Sequence, residues 1–179
     1  MLKIQNSCLV IVDVQGKLAQ LMHDKTTLFK NIRILVQAAK ELSIPILWCQ
    51  QVPEALGPTV PEIAELLTDN QPINKSAFSC CGDEKFNAAV KKCGRQQVLL
   101  CGIETHVCIY QTAIDLKQQG SDVHVIADAV SSRRLENKNL AIEKMRTNSI
   151  AIDCVEMVLF ELLKTANHPS FKSIARLIK

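Results

Sequence analysis

The chain contains few glycines, and it lacks the glycine-rich motifs with which many α/β proteins bind nucleotides. Only 6 of its 179 residues are glycine. None of them belongs to a G-x-G-x-x-G or G-x-x-x-x-G-K-[ST] pattern. Such loops place backbone N–H groups around a phosphate, so their absence argues against a dinucleotide-dependent dehydrogenase or a phosphate-loop enzyme. We therefore expect no nucleotide cofactor.

Metal, membrane and nucleic-acid sites also lack their usual patterns. The 8 cysteines include no C-x-x-C pair, and the 4 histidines show no zinc-ligand spacing. No apolar run approaches the roughly 18 residues that a membrane span needs. The net charge of +3 is small and its lysines and arginines are scattered, which argues against nucleic acid. With no signal-peptide pattern and no disulfide framework, we expect a cytoplasmic protein.

Apolar strand patterns alternate with helical patterns, and we expect one domain over residues 1–179. The predicted strands cover residues 7–13, 44–50, 71–75, 97–102, 122–128 and 149–152. The predicted helices cover 26–42, a short segment after Pro61, 83–94, 108–119, 135–147, 153–165 and a segment after Pro169. Strands that are apolar throughout and alternate with helices indicate a parallel sheet covered on both faces. Right-handed crossovers then predict a three-layer α/β/α sandwich, with its first five strands in the order 3-2-1-4-5.

Three reactive side chains follow predicted strands. Asp13 ends the first strand, Lys75 ends the third, and Cys108 follows the fourth, where a helical pattern begins and a helix dipole would favour a thiolate. The carboxyl ends of parallel strands share one edge, so these side chains could converge. Each also has a structural explanation: Asp13 as a cap, Lys75 as a solvated lysine and Cys108 as a small buried hydrophobe. Spacing alone leaves both interpretations open.

Four segments together resemble the isochorismatase-like hydrolases, a cysteine hydrolase family that also contains nicotinamidases. The segments are VIVDVQ, INKSAFS, LLCGIETHVCIYQTAIDL and HVIADAVSSR. The resemblance covers nearly the whole chain and implies a six-stranded parallel sheet with an Asp-Lys-Cys triad, which maps onto Asp13, Lys75 and Cys108. It also implies a cis peptide between Ile103 and Glu104, and an oxyanion hole formed by the N–H groups of Glu104 and Cys108.

An argument from magnitudes predicts how the thiol would be activated. A free thiol has a pKa near 8.5, and lowering it by two units takes about 2.7 kcal/mol. A helix terminus supplies only about 0.3–1 kcal/mol. We expect the Lys75 ammonium to supply the rest, and Asp13 to accept the thiol proton and return it to the leaving group.

The substrate pocket and its ligands are predicted less directly. We expect Gln15, Trp48, Phe78 and Ile103 to line the pocket, although Trp48 and Phe78 could instead fill the core. The metal site of the nicotinamidases in the family carries histidines after the second strand. Residues 48–54 here contain none. This departure argues against a metal and against nicotinamide as the substrate.

Three functions remain open at this stage. The leading hypothesis is a hydrolase that cleaves a small amide, or a related C–N or acyl bond, through a covalent intermediate on Cys108. The alternatives are a vinyl-ether hydrolase that uses Asp13 alone, and a non-catalytic binding or scaffold protein. The resemblance also implies a homo-oligomer. The apolar C-terminal segment, with Phe171, Ile174, Leu177 and Ile178, could form its interface or lie against its own domain.

Overall fold

A computed structural model, which describes residues 1–179, contains one six-stranded sheet. All neighbouring strands are parallel, and their order is β3-β2-β1-β4-β5-β6. The strands are β1 (Ser7–Val12), β2 (Ile46–Gln51), β3 (Ile73–Lys75), β4 (Gln97–Ile103), β5 (Asp122–Ser131) and β6 (Ala151–Asp153). The predicted order of the first five strands is therefore correct, and the strand that follows them lies at the far edge.

Helices cover both faces of this sheet. They are α1 (Gly16–Gln20), α2 (Lys25–Glu41), α3 (Pro53–Leu56), α4 (Pro61–Ala64), α5 (Glu84–Cys93), α6 (Tyr110–Gln118), α7 (Leu135–Thr147), α8 (Val155–Leu163) and α9 (Phe171–Ile178). Helices α2, α8 and α9 bury their apolar residues in one core, whereas α5, α6 and α7 bury theirs in a second. This arrangement confirms the predicted three-layer α/β/α sandwich.

Strand β1 explains why the sheet carries two cores. All six of its residues are buried. Because successive side chains of a strand point to opposite faces, Leu9 and Ile11 enter the first core, while Cys8, Val10 and Val12 enter the second. Buried apolar side chains on both sides of a strand are what a sheet with two covered faces requires.

The structure moves several predicted boundaries. Strand β5 continues to Ser131, three residues beyond its predicted end, and a register shift against β4 accompanies the extension. The helix predicted over 108–119 is instead a π-helical turn at Thr105–Ile109 followed by α6. Cys108 therefore lies inside a wide turn and does not begin an α-helix.

The C-terminal apolar segment packs within its own domain. Ile174 is fully buried in the first core, and Phe171, Leu177 and Ile178 pack against that core. Helix α9 contacts α2 and α8. Of the two possibilities raised by the sequence, the structure favours packing against the chain's own domain. No helix is both long and apolar enough to cross a bilayer.

Candidate active site

The ends of β1 and β3 bring Asp13 and Lys75 into direct contact. Lys75 Nζ lies 2.7 Å from Asp13 Oδ2, and both side chains are almost completely buried. The Cys108 thiol lies close enough to Asp13 for each group to shift the pKa of the other. Asp13 and Cys108 also line the same cavity. Three side chains that are far apart in sequence thus meet at the carboxyl edge of the sheet.

The Lys75 ammonium is held by several oxygen atoms. Besides Asp13, it donates to Gln51 Oε1 at 2.7 Å and to the carbonyl oxygens of Ala77 and Phe78 at 3.2 and 3.1 Å. Burial has the largest single effect and lowers the pKa of Lys75. The attraction of Asp13, its hydrogen bond and smaller effects of neighbouring groups together outweigh burial, and the pKa lies above its ordinary value. Lys75 is therefore a permanently charged partner of Asp13 at neutral pH.

Asp13 adopts an uncommon backbone conformation at the end of β1. Its φ angle is +53°, and its N–H donates to the Cys49 carbonyl oxygen at 3.1 Å. Positive φ angles are rare outside glycine, and they often occur at functional sites. Burial raises the pKa of the Asp13 carboxyl despite the attraction of Lys75. Its second oxygen, Oδ1, is buried and has no hydrogen-bond partner, which leaves it free to accept a proton.

The Cys108 thiol is protonated at neutral pH, in contrast to the thiolate expected from the sequence. Its side chain is buried in the π-helical turn. Burial raises its pKa to about 12, the neighbouring Asp13 carboxylate acts in the same direction, and Lys75 only partly opposes them. The ammonium is engaged by Asp13 and cannot compensate for the lost hydration of a thiolate. The expectation of a lowered pKa for the Cys108 thiol is therefore wrong.

Glu104 contributes both its backbone and its side chain to the site. The peptide bond between Ile103 and Glu104 is cis, and the Glu104 N–H forms no backbone hydrogen bond. The side chain is buried, and its Oε1 accepts hydrogen bonds from the N–H and the Nε of Arg133 at 3.0 and 3.1 Å. The sequence analysis assigns a role only to the Glu104 backbone. The structure places it in an ion pair with Arg133.

A cavity of about 260 Å³ opens beside the thiol and the Asp13 carboxylate. Its wall consists of apolar and charged side chains from several elements: Asp13, Leu18, Gln51, Leu56, Phe78, Ile103, Glu104, Val107, Cys108 and Arg133. Phe78 and Ile103 are thus at the cavity, where the sequence placed them. Phe78 remains 57% exposed, so a large aromatic ring stands at the cavity mouth.

Gln15 and Trp48 do not line this cavity, contrary to the sequence-based expectation. The Gln15 side chain is fully buried, donates to the carbonyl oxygens of Gln51 and Gly57, and accepts from the Gln51 N–H. These hydrogen bonds connect the loop after β2 to the start of α1. Trp48 lies in the first core and donates its indole N–H to Thr59 Oγ1 at 2.9 Å. Both residues stabilise the loops around the site.

The sequence analysis missed the residues that bind the Lys75 and Glu104 side chains. Gln51, which holds Lys75, follows Trp48 at the end of β2 and could have been found from that position at the sheet edge. Arg133, which pairs with Glu104, lies just beyond β5 in the segment HVIADAVSSR. His106 is turned away from the cavity, and its Nδ1 lies 3.0 Å from Ser132 Oγ.

No three histidine, cysteine, aspartate or glutamate side chains come together in a way that could hold a metal ion. A buried carboxylate with a free oxygen, a neighbouring thiol and an unbonded N–H group together suit nucleophilic attack on a carbonyl carbon.

Comparisons with known proteins identify the family. The isochorismatase domain family matches residues 7–156. Isochorismatase domain-containing protein 2 from Danio rerio is 39% identical over 99% of this chain and 89% of its own. A secreted isochorismatase effector, Isc1, from Phytophthora sojae is also 39% identical, over 97% of this chain and 85% of its own. A solved structure described as MAR1 ribonuclease from Caenorhabditis elegans is 37% identical, with a TM-score of 0.93 over 99% of this chain and 91% of that one. This chain belongs to the isochorismatase-like hydrolase family.

Proposed function

We propose that the protein is a cysteine hydrolase that cleaves a small amide, or a related C–N or acyl bond, through a covalent intermediate on Cys108. The observation that carries this proposal is the buried Asp13–Lys75 ion pair, which lies 2.7 Å apart and adjoins a thiol at one small cavity. Burying two charges has a large desolvation cost, and such pairs often serve function more than stability.

In the proposed cycle, the thiol loses its proton as it attacks. Cys108 Sγ forms a bond to the substrate carbonyl carbon while its proton passes to Asp13 Oδ1, the oxygen that has no other partner. The carbonyl oxygen becomes an oxyanion that the N–H groups of Glu104 and Cys108 stabilise. The C–N bond then breaks, and Asp13 returns the proton to the leaving amine. A water molecule hydrolyses the thioester, giving a carboxylic acid and the free thiol.

Lys75 acts on this cycle through Asp13. Its ammonium favours the ionised carboxylate, which must be present before a proton can be accepted, and its three other hydrogen bonds fix the position of the pair. Because the thiol is protonated beforehand, Asp13 has to work as a general base in the attacking step. Lys75 therefore orients and charges the base and does not itself activate sulfur.

The cavity favours a small substrate. Its volume of about 260 Å³ is slightly below the 300–1,000 Å³ typical of pockets for drug-sized ligands. The Asp13 and Lys75 side chains are almost completely buried, which favours a small substrate over a polymer backbone. Since one relative is described as a ribonuclease, RNA belongs among the compounds tested, and we expect no cleavage of it that depends on Cys108.

The test is turnover of a library of small amides and esters, together with a single-stranded RNA, by the wild-type chain and three variants. We expect Cys108→Ala and Asp13→Asn each to abolish hydrolysis, and Cys81→Ala, which alters a cysteine outside the cavity, to retain it. Loss in Asp13→Asn with full activity in Cys108→Ala would overturn the covalent mechanism and favour vinyl-ether chemistry. Absence of turnover of every compound would favour a binding role.

Assembly and localisation follow as part of the same proposal. Several large apolar side chains are exposed, among them Leu21, Phe78 and Leu140, and a homo-oligomer would cover some of them.

All eight cysteines are free. Unpaired thiols in this number suit a reducing compartment, and we place the protein in the cytoplasm on that ground.

A further inference from the structure

A second cavity, of about 430 Å³, lies away from the triad at the outer part of the same sheet edge. None of its lining residues belongs to the triad cavity. Its origin is topological. Strand β5 has ten residues, whereas β6 has only three and pairs with β5 at 124–126. The stretch 127–131 of β5 therefore has no strand on its outer side, although β4 still pairs with it on the inner side. The open space is bounded by the start of α2 and by α7.

Two basic side chains of α7 face this cavity without partners. Lys138 and Arg146 are eight residues apart, and Ile142 lies between them on the same face of the helix. Neither basic group forms a salt bridge or a hydrogen bond within the chain. Burial lowers the pKa of Lys138 even though two aspartates attract it. The ammonium thus loses hydration here without full electrostatic compensation.

The two aspartates of the cavity each accept a hydrogen bond from the start of a helix. Asp24 Oδ1 accepts a hydrogen bond from the Thr27 N–H at the start of α2, at 3.3 Å. Asp128 Oδ1 accepts one from the Val155 N–H at the start of α8, at 2.9 Å. Each carboxylate therefore caps a helix and balances the positive end of its dipole. Both carboxylates also attract the Lys138 ammonium, but not enough to offset its burial. Arg146 forms no salt bridge, so each basic group can still take an anionic partner.

We propose that this second cavity binds a small organic anion, whose phosphate or carboxylate group lies between Lys138 and Arg146. Its apolar part would contact Leu28 and Ile142, which also line the space. The volume is within the range of small-molecule sites. A bound anion would supply the partner that the half-buried ammonium lacks, and charge-assisted hydrogen bonds of this kind are among the stronger ones in proteins. This site does not depend on the chemistry proposed for the triad.

The experiment measures binding of three probes by calorimetry: phenyl phosphate, benzoate and the uncharged benzyl alcohol. They are titrated into the full chain carrying Cys108→Ala, so that no probe is turned over. We expect phenyl phosphate, benzoate or both to bind, and benzyl alcohol not to. Lys138→Gln and Arg146→Gln should each weaken binding at least tenfold, as loss of a hydrogen bond to a charged group of about 1.5–3 kcal/mol implies.

Two control variants keep the test decisive. Lys91→Gln removes a charge from the exposed face of α5 and should change nothing, whereas Arg133→Gln removes the arginine of the triad cavity and should also leave binding intact. The proposal is overturned if no charged probe binds the parent chain, or if Lys91→Gln weakens binding as much as Lys138→Gln. It is equally overturned if Arg133→Gln abolishes binding while Lys138→Gln does not. Thermal unfolding of each variant confirms that it is folded.

Discussion

The pKa of the Cys108 thiol depends on the neighbouring groups more than the position of Cys108 in the sequence suggests. Burial and the Asp13 carboxylate both act against ionisation, and they raise the pKa of the thiol to about 12. A thiol of this kind has little thiolate at rest, which protects it from stray alkylation and oxidation. In the proposed cycle, its reactivity arises when a substrate lies in the cavity and Asp13 takes the proton. The residue-scale predictions follow from this arrangement.

Alkylation of Cys108 by iodoacetamide should rise about tenfold per pH unit from pH 6 to pH 9 without a plateau, because the rate follows the thiolate fraction. Cys93 is an internal control, since a hydrogen bond from Cys8 lowers its pKa to about 7 and its rate should level off above pH 8. Peptide mass spectrometry measures both rates in one sample. A plateau for Cys108 below pH 8 would mean a preformed thiolate and would contradict the account.

The Asp13–Lys75 pair should behave as one unit in unfolding experiments. Lys75→Met leaves a buried carboxylate without its partner and should lower the free energy of unfolding by about 3–5 kcal/mol. The double variant Asp13→Asn with Lys75→Met should recover much of that loss. Urea unfolding of the two single variants and the double variant gives the coupling energy. Additive losses would show that the two groups stabilise the protein independently.

The pH dependence of this pair follows from the raised pKa of Lys75. A group whose pKa is higher in the folded than in the unfolded state stabilises the fold fully below the unfolded pKa. The contribution is then lost as the pH rises through the folded value. We therefore expect wild-type stability to fall above pH 10.5, and the fall to be smaller in the double variant.

At the scale of elements, the ends of the strands could be predicted from the sequence, whereas the turn that carries Cys108 could not. Asp13 and Lys75 stand directly after apolar strand patterns, so their shared edge followed from parallel topology. The π-helical turn at Thr105–Ile109 has no periodic signal of its own, since the apolar pattern merges with that of α6. The Glu104–Arg133 pair joins two segments far apart in sequence, and no local pattern indicates which acid meets which base.

A substitution at Gly102 tests, at the scale of elements, whether the close approach of β4 to β1 stabilises the fold. Its φ angle is +120°, and an added Cβ would collide with the Val12 backbone. Gly102→Ala should lower the free energy of unfolding by at least about 2 kcal/mol, through overpacking as well as backbone strain. Gly120→Ala is the matched control, because its φ is +90° but its Cβ would meet nothing within 4 Å. Equal losses in chemical denaturation would show that strain alone acts and that the close approach is unimportant.

At the scale of the whole molecule, composition and alternation predicted the sandwich, whereas the cavities depended on details beyond them. The α/β/α layers follow from strands such as β1 that are buried on both faces. Which side chains line the cavity depends on the paths of the loops around it. Gln15 and Trp48 illustrate this, because both lie near the site but form hydrogen bonds that hold loops together and do not line the cavity. Whether α9 packs inward or outward was also undecided by its apolar pattern.

The packing of α9 gives a whole-molecule prediction. Ile174 is fully buried in the first core, so Ile174→Ala should lower the free energy of unfolding by about 2–5 kcal/mol. The loss should be the same at low and high protein concentration, because the contact lies within one chain. Met157→Ala, at a position 56% exposed, should change little. A loss for Ile174→Ala that depends on protein concentration would instead place α9 in an interface between subunits.

The central claim is that Cys108 carries the acyl group of the substrate, and intact-mass spectrometry tests it most directly. A panel of small activated esters and amides is mixed with the protein, the reaction is quenched in acid, and the modified peptide is located. The account predicts a transient adduct of one acyl group on Cys108, which disappears as product accumulates and is missing in Asp13→Asn. Turnover with no adduct at Cys108, or with the adduct on another cysteine, would contradict it.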